Sequence, residues 1–116
     1  MTRRPAERLA DIAQAIVRAR VADALLQKAE STGDAELARV AYDAVCFQLF
    51  VIGEAVRALP LELLASEPEI PWAEIRGMRN VVGHEYHRIV PQVVRRTVSE
   101  SLTPLQAAIE RLLDRS

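Results

Sequence analysis

Five arginines (Arg76, Arg79, Arg88, Arg95 and Arg96) and both histidines of the chain (His84 and His87) fall between positions 76 and 96, with Glu85 the one acid among them. This stretch carries +4 when the histidines are neutral, so the remainder carries -5 and the whole chain -1. A basic cluster is ordinarily a solvated face. What sets this one apart is the order Arg79-Asn80-Val81-Val82-Gly83-His84. A guanidinium holds a phosphate through parallel N–H donors and stabilises the charge that builds there in a transition state. An imidazole, titrating at about pH 6.5 when unperturbed, moves a proton at neutral pH. A carboxamide beside them orients the imidazole or a ribose hydroxyl. The three types together suit RNA cleavage without a metal, in which the attacking 2′-hydroxyl gives up a proton and the leaving oxygen takes one. Arg79, Asn80 and His84 are therefore candidate catalytic residues, and Arg76 and Arg88 candidate phosphate contacts.

Spacing constrains how they meet. On a continuous helix Arg79 and His84 stand about 140° apart around the axis, so they converge within one chain only if the helix breaks between them. Gly83 is the expected break, a C-terminal stop that leaves Arg79 in the last turn, at the negative end of the helix dipole, and sends His84, Glu85 and Tyr86 back across the helix end. One imidazole serves poorly as both base and acid, whereas a two-fold dimer brings two copies of His84 to one cleft. His84-x-x-His87 has a spacing found in zinc sites, but no cysteine partner or third ligand has an obvious position, so no metal is expected. Trp72, beside Pro71, reads as a hydrophobic plug at a helix start rather than a stacking platform for a base. Glu54, at the edge of a long helix, is a candidate to hold the site from behind, although a glutamate there is usually solvated or salt-bridged. Cys46 reads as a small buried hydrophobe, because no charged neighbour lowers its pKa.

The elements that must position these groups are helices. The chain has 116 residues, of which 50% are hydrophobic and 27% charged, which allows one compact domain and excludes both a disordered tail and a two-domain enzyme. Leu9, Ile12, Ile16, Ala19 and Leu26 recur at helical spacing over roughly 5 to 30, before Ser31-Thr32-Gly33-Asp34. A longer apolar face runs from Ala35 through Phe47 and Leu59 until Pro60 ends it. A short turn around Leu61 to Ala65 follows, then a helix opened by Pro71 that runs to about Val82. Pro91 opens the last helix, whose Val94, Val98, Leu102, Leu105, Ile109 and Leu112 form one stripe. Pro104 interrupts it, and Thr103 with Gln106 has capping-box spacing, so that helix is either kinked or restarted there. An all-α antiparallel bundle is the expected architecture. The net charge offers no global field for nucleic acid, so any RNA site must be local. A single cysteine makes no internal disulfide, nothing at the start resembles a secretion signal, and the apolar run from Ala44 to Gly53 is far short of the roughly 20 residues of a membrane span. A cytoplasmic protein that does not engage a membrane is expected.

The run from Arg79 to Tyr86, an arginine, four residues, a histidine, one residue and a tyrosine, resembles the motif of HepT-like toxins, a branch of the HEPN ribonucleases. Ile52-Gly53-Glu54-Ala55, Glu69-Ile70-Pro71-Trp72, Ile75 and Gly77-Met78 resemble the segments that precede the motif in that family, and the likeness is strongest from about Val40 to Tyr86. The resemblance implies one HEPN-like domain over residues 1–116, a homodimeric bundle of four to five helices, and a metal-independent RNA endonuclease with no cofactor. It implies the toxin of a type VII toxin–antitoxin pair, with Arg79 and His84 catalytic and Asn80 supporting them. Its implied partners are a second copy, RNA, and a cognate minimal nucleotidyltransferase antitoxin that transfers AMP from ATP to the motif tyrosine, here Tyr86. Phosphates added beside the cleft would repel RNA and pair with its arginines. The chain departs from the pattern after Tyr86, where His87-Arg88-Ile89-Val90 stands in place of an apolar residue and an acid; His87 is an alternative proton donor. The rival reading is a non-catalytic helical adaptor, or substrate subunit, of a nucleotidyltransferase, which the net charge of -1 favours. A third is a dimerising bundle whose arginines are only surface.

Overall fold

A computed structural model describes residues 3–84 and 91–115, with side chains for all of these except residues 80–84 and 91. Helix α1 spans Pro5–Thr32. Proline at its first position has a fixed φ suited to the turn, and the Glu7 carboxylate accepts from the Arg4 backbone N–H at 2.9 Å. It ends at Gly33, whose φ of 75° is the left-handed conformation that only glycine adopts without strain. Asp34 then caps α2 (Ala35–Arg57), its carboxylate accepting from Leu37 N–H at 3.0 Å. Two residues thus reverse the chain, and α1 and α2 form an antiparallel hairpin.

Helix α2 stops ahead of Pro60, and α3 (Leu61–Ala65) is the short turn expected there. Trp72 begins α4 (Trp72–His84) and plugs the connector, 9% exposed, with its indole N–H donating to the Glu67 carbonyl at 3.0 Å. Helix α5 (Pro91–Arg96) leads through a π-helical turn (Thr97–Ser101) into α6 (Leu102–Arg115). No strand occurs among the described residues. The core joins Leu9, Ile12 and Ile16 of α1, Val45, Ile52 and Val56 of α2, and Leu105, Ile109 and Leu112 of α6, all at 0–1% exposure. Each such side chain contributes roughly 1.5–3 kcal/mol through its removal from water. The bundle is the all-α architecture expected, and the stripe from Val94 to Leu112 is buried along its whole length.

One expectation fails, and one pair of alternatives is resolved. The break at Gly83 is absent, because α4 continues through it to His84. Glycine favours a left-handed stop, but inside a helix it costs only about 1 kcal/mol, too little to end α4 by itself. At Pro104, where the helix is expected to be either kinked or restarted, it is distorted one turn earlier instead of restarting at a Thr103 cap. Pro104 would crowd the carbonyl of Glu100 and leave it without a donor, and the chain answers by widening Thr97–Ser101 into a π turn that includes that residue. The Thr103 hydroxyl does not cap this junction; it accepts from Arg20 Nη2 at 2.9 Å and so ties α1 to α6.

Candidate functional site

Gly53 sets the position of Arg79. A Cβ at Gly53 would lie 2.8 Å from the backbone nitrogen of Arg79, 3.0 Å from its Cβ and 3.1 Å from the Ile75 carbonyl oxygen. Helices α2 and α4 therefore touch backbone to backbone at this point, which only glycine permits. The next residue, Glu54, meets Arg79 across the crossing, with Oε1 2.5 Å from Nε. Glu54 is the salt-bridged group foreseen among the alternatives, and its partner is the candidate catalytic arginine. The pair lies partly open to solvent, at 30% and 44% side-chain exposure, so its attraction is screened, and its principal effect is to fix where the guanidinium sits.

Arg76 lies half-buried one turn before Arg79. Asn80 and His84 follow Arg76 at four-residue spacing along α4, so these three backbone positions form one row and Arg79 stands in the neighbouring one. The uninterrupted helix holds Arg79 and His84 about 140° apart at the backbone. The turn expected after Val82 does not occur within α4, and the convergence it was to produce falls on the His84 side chain, outside the described residues. The side chains of Asn80 and His84, and all of Glu85, Tyr86, His87 and Arg88, lie outside the described residues. Cys46 is 1% exposed, and burial pushes its thiol pKa up, which removes it as a nucleophile. Among the described residues no group of three or more His, Cys, Asp or Glu could hold a metal ion, and no helix is long and apolar enough to cross a membrane.

Glu54 also borders an open groove of about 650 Å³ between α1 and α2, lined by Arg8, Arg18, Arg57, Phe47 and Phe50. The sequence reading missed these arginines because Arg8 and Arg18 are ten residues apart on α1 and Arg57 sits at the end of α2; only the hairpin brings Arg57 to the groove that the other two line. A second cleft of about 350 Å³, between α4 and the π turn, is rimmed by Glu69, Glu74 and Glu100 and is hostile to anions.

Comparison with known proteins gives a consistent answer. The profile of a family described as Ribonuclease HepT-like matches residues 6–112. A candidate RNase of Caldanaerobacter subterraneus is 33% identical over 67 residues, covering 58% of this chain and 60% of that protein. A candidate ribonuclease HepT of Thermococcus cleftensis is 36% identical over 69 residues, covering 60% and 63%. A candidate RNase of Methanocaldococcus jannaschii is 31% identical over 65 residues, covering 56% of each chain. The matched part of this chain thus spans about three fifths of the length of these curated relatives. No solved structure matches the chain significantly.

Proposed function

Because the chain belongs to the Ribonuclease HepT-like family, we propose that it is a metal-independent RNA endonuclease and the toxin of a type VII toxin–antitoxin pair. The observation that carries this reading is Arg79, locked by Gly53 and Glu54 one turn from the end of α4 and inside the Arg79-to-His84 motif. Arg79 holds the scissile phosphate and stabilises its added charge, while His84 takes the proton of the 2′-hydroxyl or returns one to the leaving oxygen, and Asn80 orients the imidazole or the ribose. Arg76 and Arg88 contact flanking phosphates. Since a straight helix end turns Arg79 and His84 to different faces, the working cleft belongs to a homodimer, in which a two-fold axis beside the end of α4 supplies the missing group from the second copy.

Regulation follows from Tyr86, two residues beyond His84. A cognate minimal nucleotidyltransferase transfers AMP to its hydroxyl, and the added phosphate repels RNA and occupies the arginines. The test is cleavage of total RNA by the purified protein in EDTA. The parent should cut and form a dimer, and Arg79→Ala and His84→Ala should each abolish cutting while circular dichroism stays unchanged. Equal cutting by both variants refutes the site. Expression without the partner should arrest growth; continued growth, together with an AMP-sized mass increase that Tyr86→Phe prevents, would instead establish the adaptor reading that the net charge of -1 favours.

A further inference from the structure

The α1–α2 groove contains an imbalance of charge that the motif does not account for. Its two carboxylates are already engaged within the chain, Asp11 by Arg3 at 3.0 Å and Glu54 by Arg79. Arg8, Arg18 and Arg57 have no ion-pair or hydrogen-bond partner for their side chains among the described residues. Phe47, which lines the same groove, stands 59% exposed, a large aromatic face where burial would have been expected. Three uncompensated guanidinium groups beside an open aromatic ring are what a single strand of nucleic acid requires, cations for its phosphates and a flat surface for an unstacked base. The groove also abuts Glu54, whose other neighbour is Arg79.

We propose that this groove is the track along which single-stranded RNA reaches Arg79, with Arg8, Arg18 and Arg57 on phosphates and Phe47 under a base. The proposal rests on the ribonuclease reading and gives it a substrate form, single-stranded rather than duplex. The rival occupant is a second copy of the chain, since Val21, Leu25 and Val40 continue an exposed apolar strip on the same hairpin. An isologous interface would, however, set this uncompensated positive groove against its own image, with like charges brought together out of water. A polyanion suits it better.

The probe is a fluorescein-labelled 2′-O-methyl oligouridylate of about a dozen nucleotides, which the proposed chemistry cannot cut, read by polarisation in EDTA between 50 and 200 mM salt. Replacing Arg8, Arg18 and Arg57 together by glutamine should lower the slope of log affinity against log salt by about 2, at about 0.7 for each lost phosphate contact. Phe47→Ala should weaken binding about tenfold with the slope unchanged. A duplex of equal length should bind more weakly than the single strand and be indifferent to Phe47. A triple variant with the parent's slope overturns the proposal, as does a triple or Phe47 variant that dissociates the parent's dimer in sedimentation, since the groove is then covered by a second copy. A parent that binds no RNA at all overturns the ribonuclease reading itself, which distinguishes that failure from failure of the groove alone.

Discussion

Replacing Gly53 with alanine adds one methyl group at the tightest point of the α2–α4 crossing. The new Cβ would stand 2.8 Å from the Arg79 backbone nitrogen, where ordinary contact begins at 3.4 Å, so the helices must separate locally by about 0.6 Å. The contact is to backbone, which cannot rotate away as a side-chain tip would. Overpacking of this kind costs about 1–3 kcal/mol, and alanine's better helix propensity returns about 1 kcal/mol, leaving a net loss of about 1 kcal/mol. For a chain of this size that lowers Tm by about 4 °C. Gly77 in α4 provides the control, because a Cβ there meets nothing within 4 Å. Gly77→Ala should collect the propensity term alone and raise Tm by about 4 °C. Two chemically identical substitutions on packed helices should therefore move Tm in opposite directions, measured by thermal unfolding under circular dichroism. Under the ribonuclease reading, Gly53→Ala should also cut more slowly, about tenfold, since misplacement of a catalytic group by about 1 Å can cost about a hundredfold. A Gly53→Ala protein that melts above the parent would refute the close-approach argument, and one that melts lower but cuts at the full rate would detach Gly53 from the site.

Glu67, 8% exposed, accepts hydrogen bonds from Arg111 and Arg115 at 2.6–3.2 Å, and those from Arg111 chiefly hold its carboxyl below the ordinary value of 4.5. A folded-state pKa lower than the unfolded one gives stability that is present above about pH 4.5 and lost as pH falls through the folded value. Tm should accordingly be level near neutrality and fall in acid, and Glu67→Gln should lower Tm at pH 7 and flatten that acid slope; an unchanged slope would reject the assignment. Asp34→Ala removes the cap of α2 and should cost about 1 kcal/mol, read as a lower midpoint in urea. Glu54→Gln should keep the fold and reduce kcat more than it changes KM, because it loosens Arg79 without removing it; a change confined to KM would make Glu54 a binding group instead.

The helices could be read directly because each is announced by chemistry local to itself, but the first half of the face read for α2 is misplaced: Val40 and Phe47 stand 50% and 59% exposed, while Val45 and Leu49 are buried. Gly33-Asp34 supplies both a left-handed stop and a cap, Pro60 forbids continuation, and the stripe from Val94 to Leu112 keeps its spacing throughout. The misreadings occur where a local signal is weak or a contact is distant. Gly83 carries a preference of about 1 kcal/mol that α4 overrides. Thr103 has the spacing of a cap, yet its hydroxyl goes to Arg20, 83 residues away. The pairing of Glu54 with Arg79 and the gathering of Arg8, Arg18 and Arg57 exist only once α2 lies across its neighbours, which no periodicity encodes.

The π turn at Thr97–Ser101 frees the facing of α5 from its exact length. On a regular helix Val94 and Leu102 would point about 80° apart, yet both reach the core, at 4% and 1% exposure, because the wider turn absorbs the surplus. Deleting one residue from it would leave a regular helix in which Val94 and Leu102, then seven positions apart, stand only about 20° from a common face. Val94 would stay on the core side and Arg95 beside Glu30, which it now meets at 2.7 Å, while Leu102 to Leu112 stayed seated. A lineage could therefore lose a codon here and keep the aim of the segment that follows the motif, with no residue of the lower bundle exchanged.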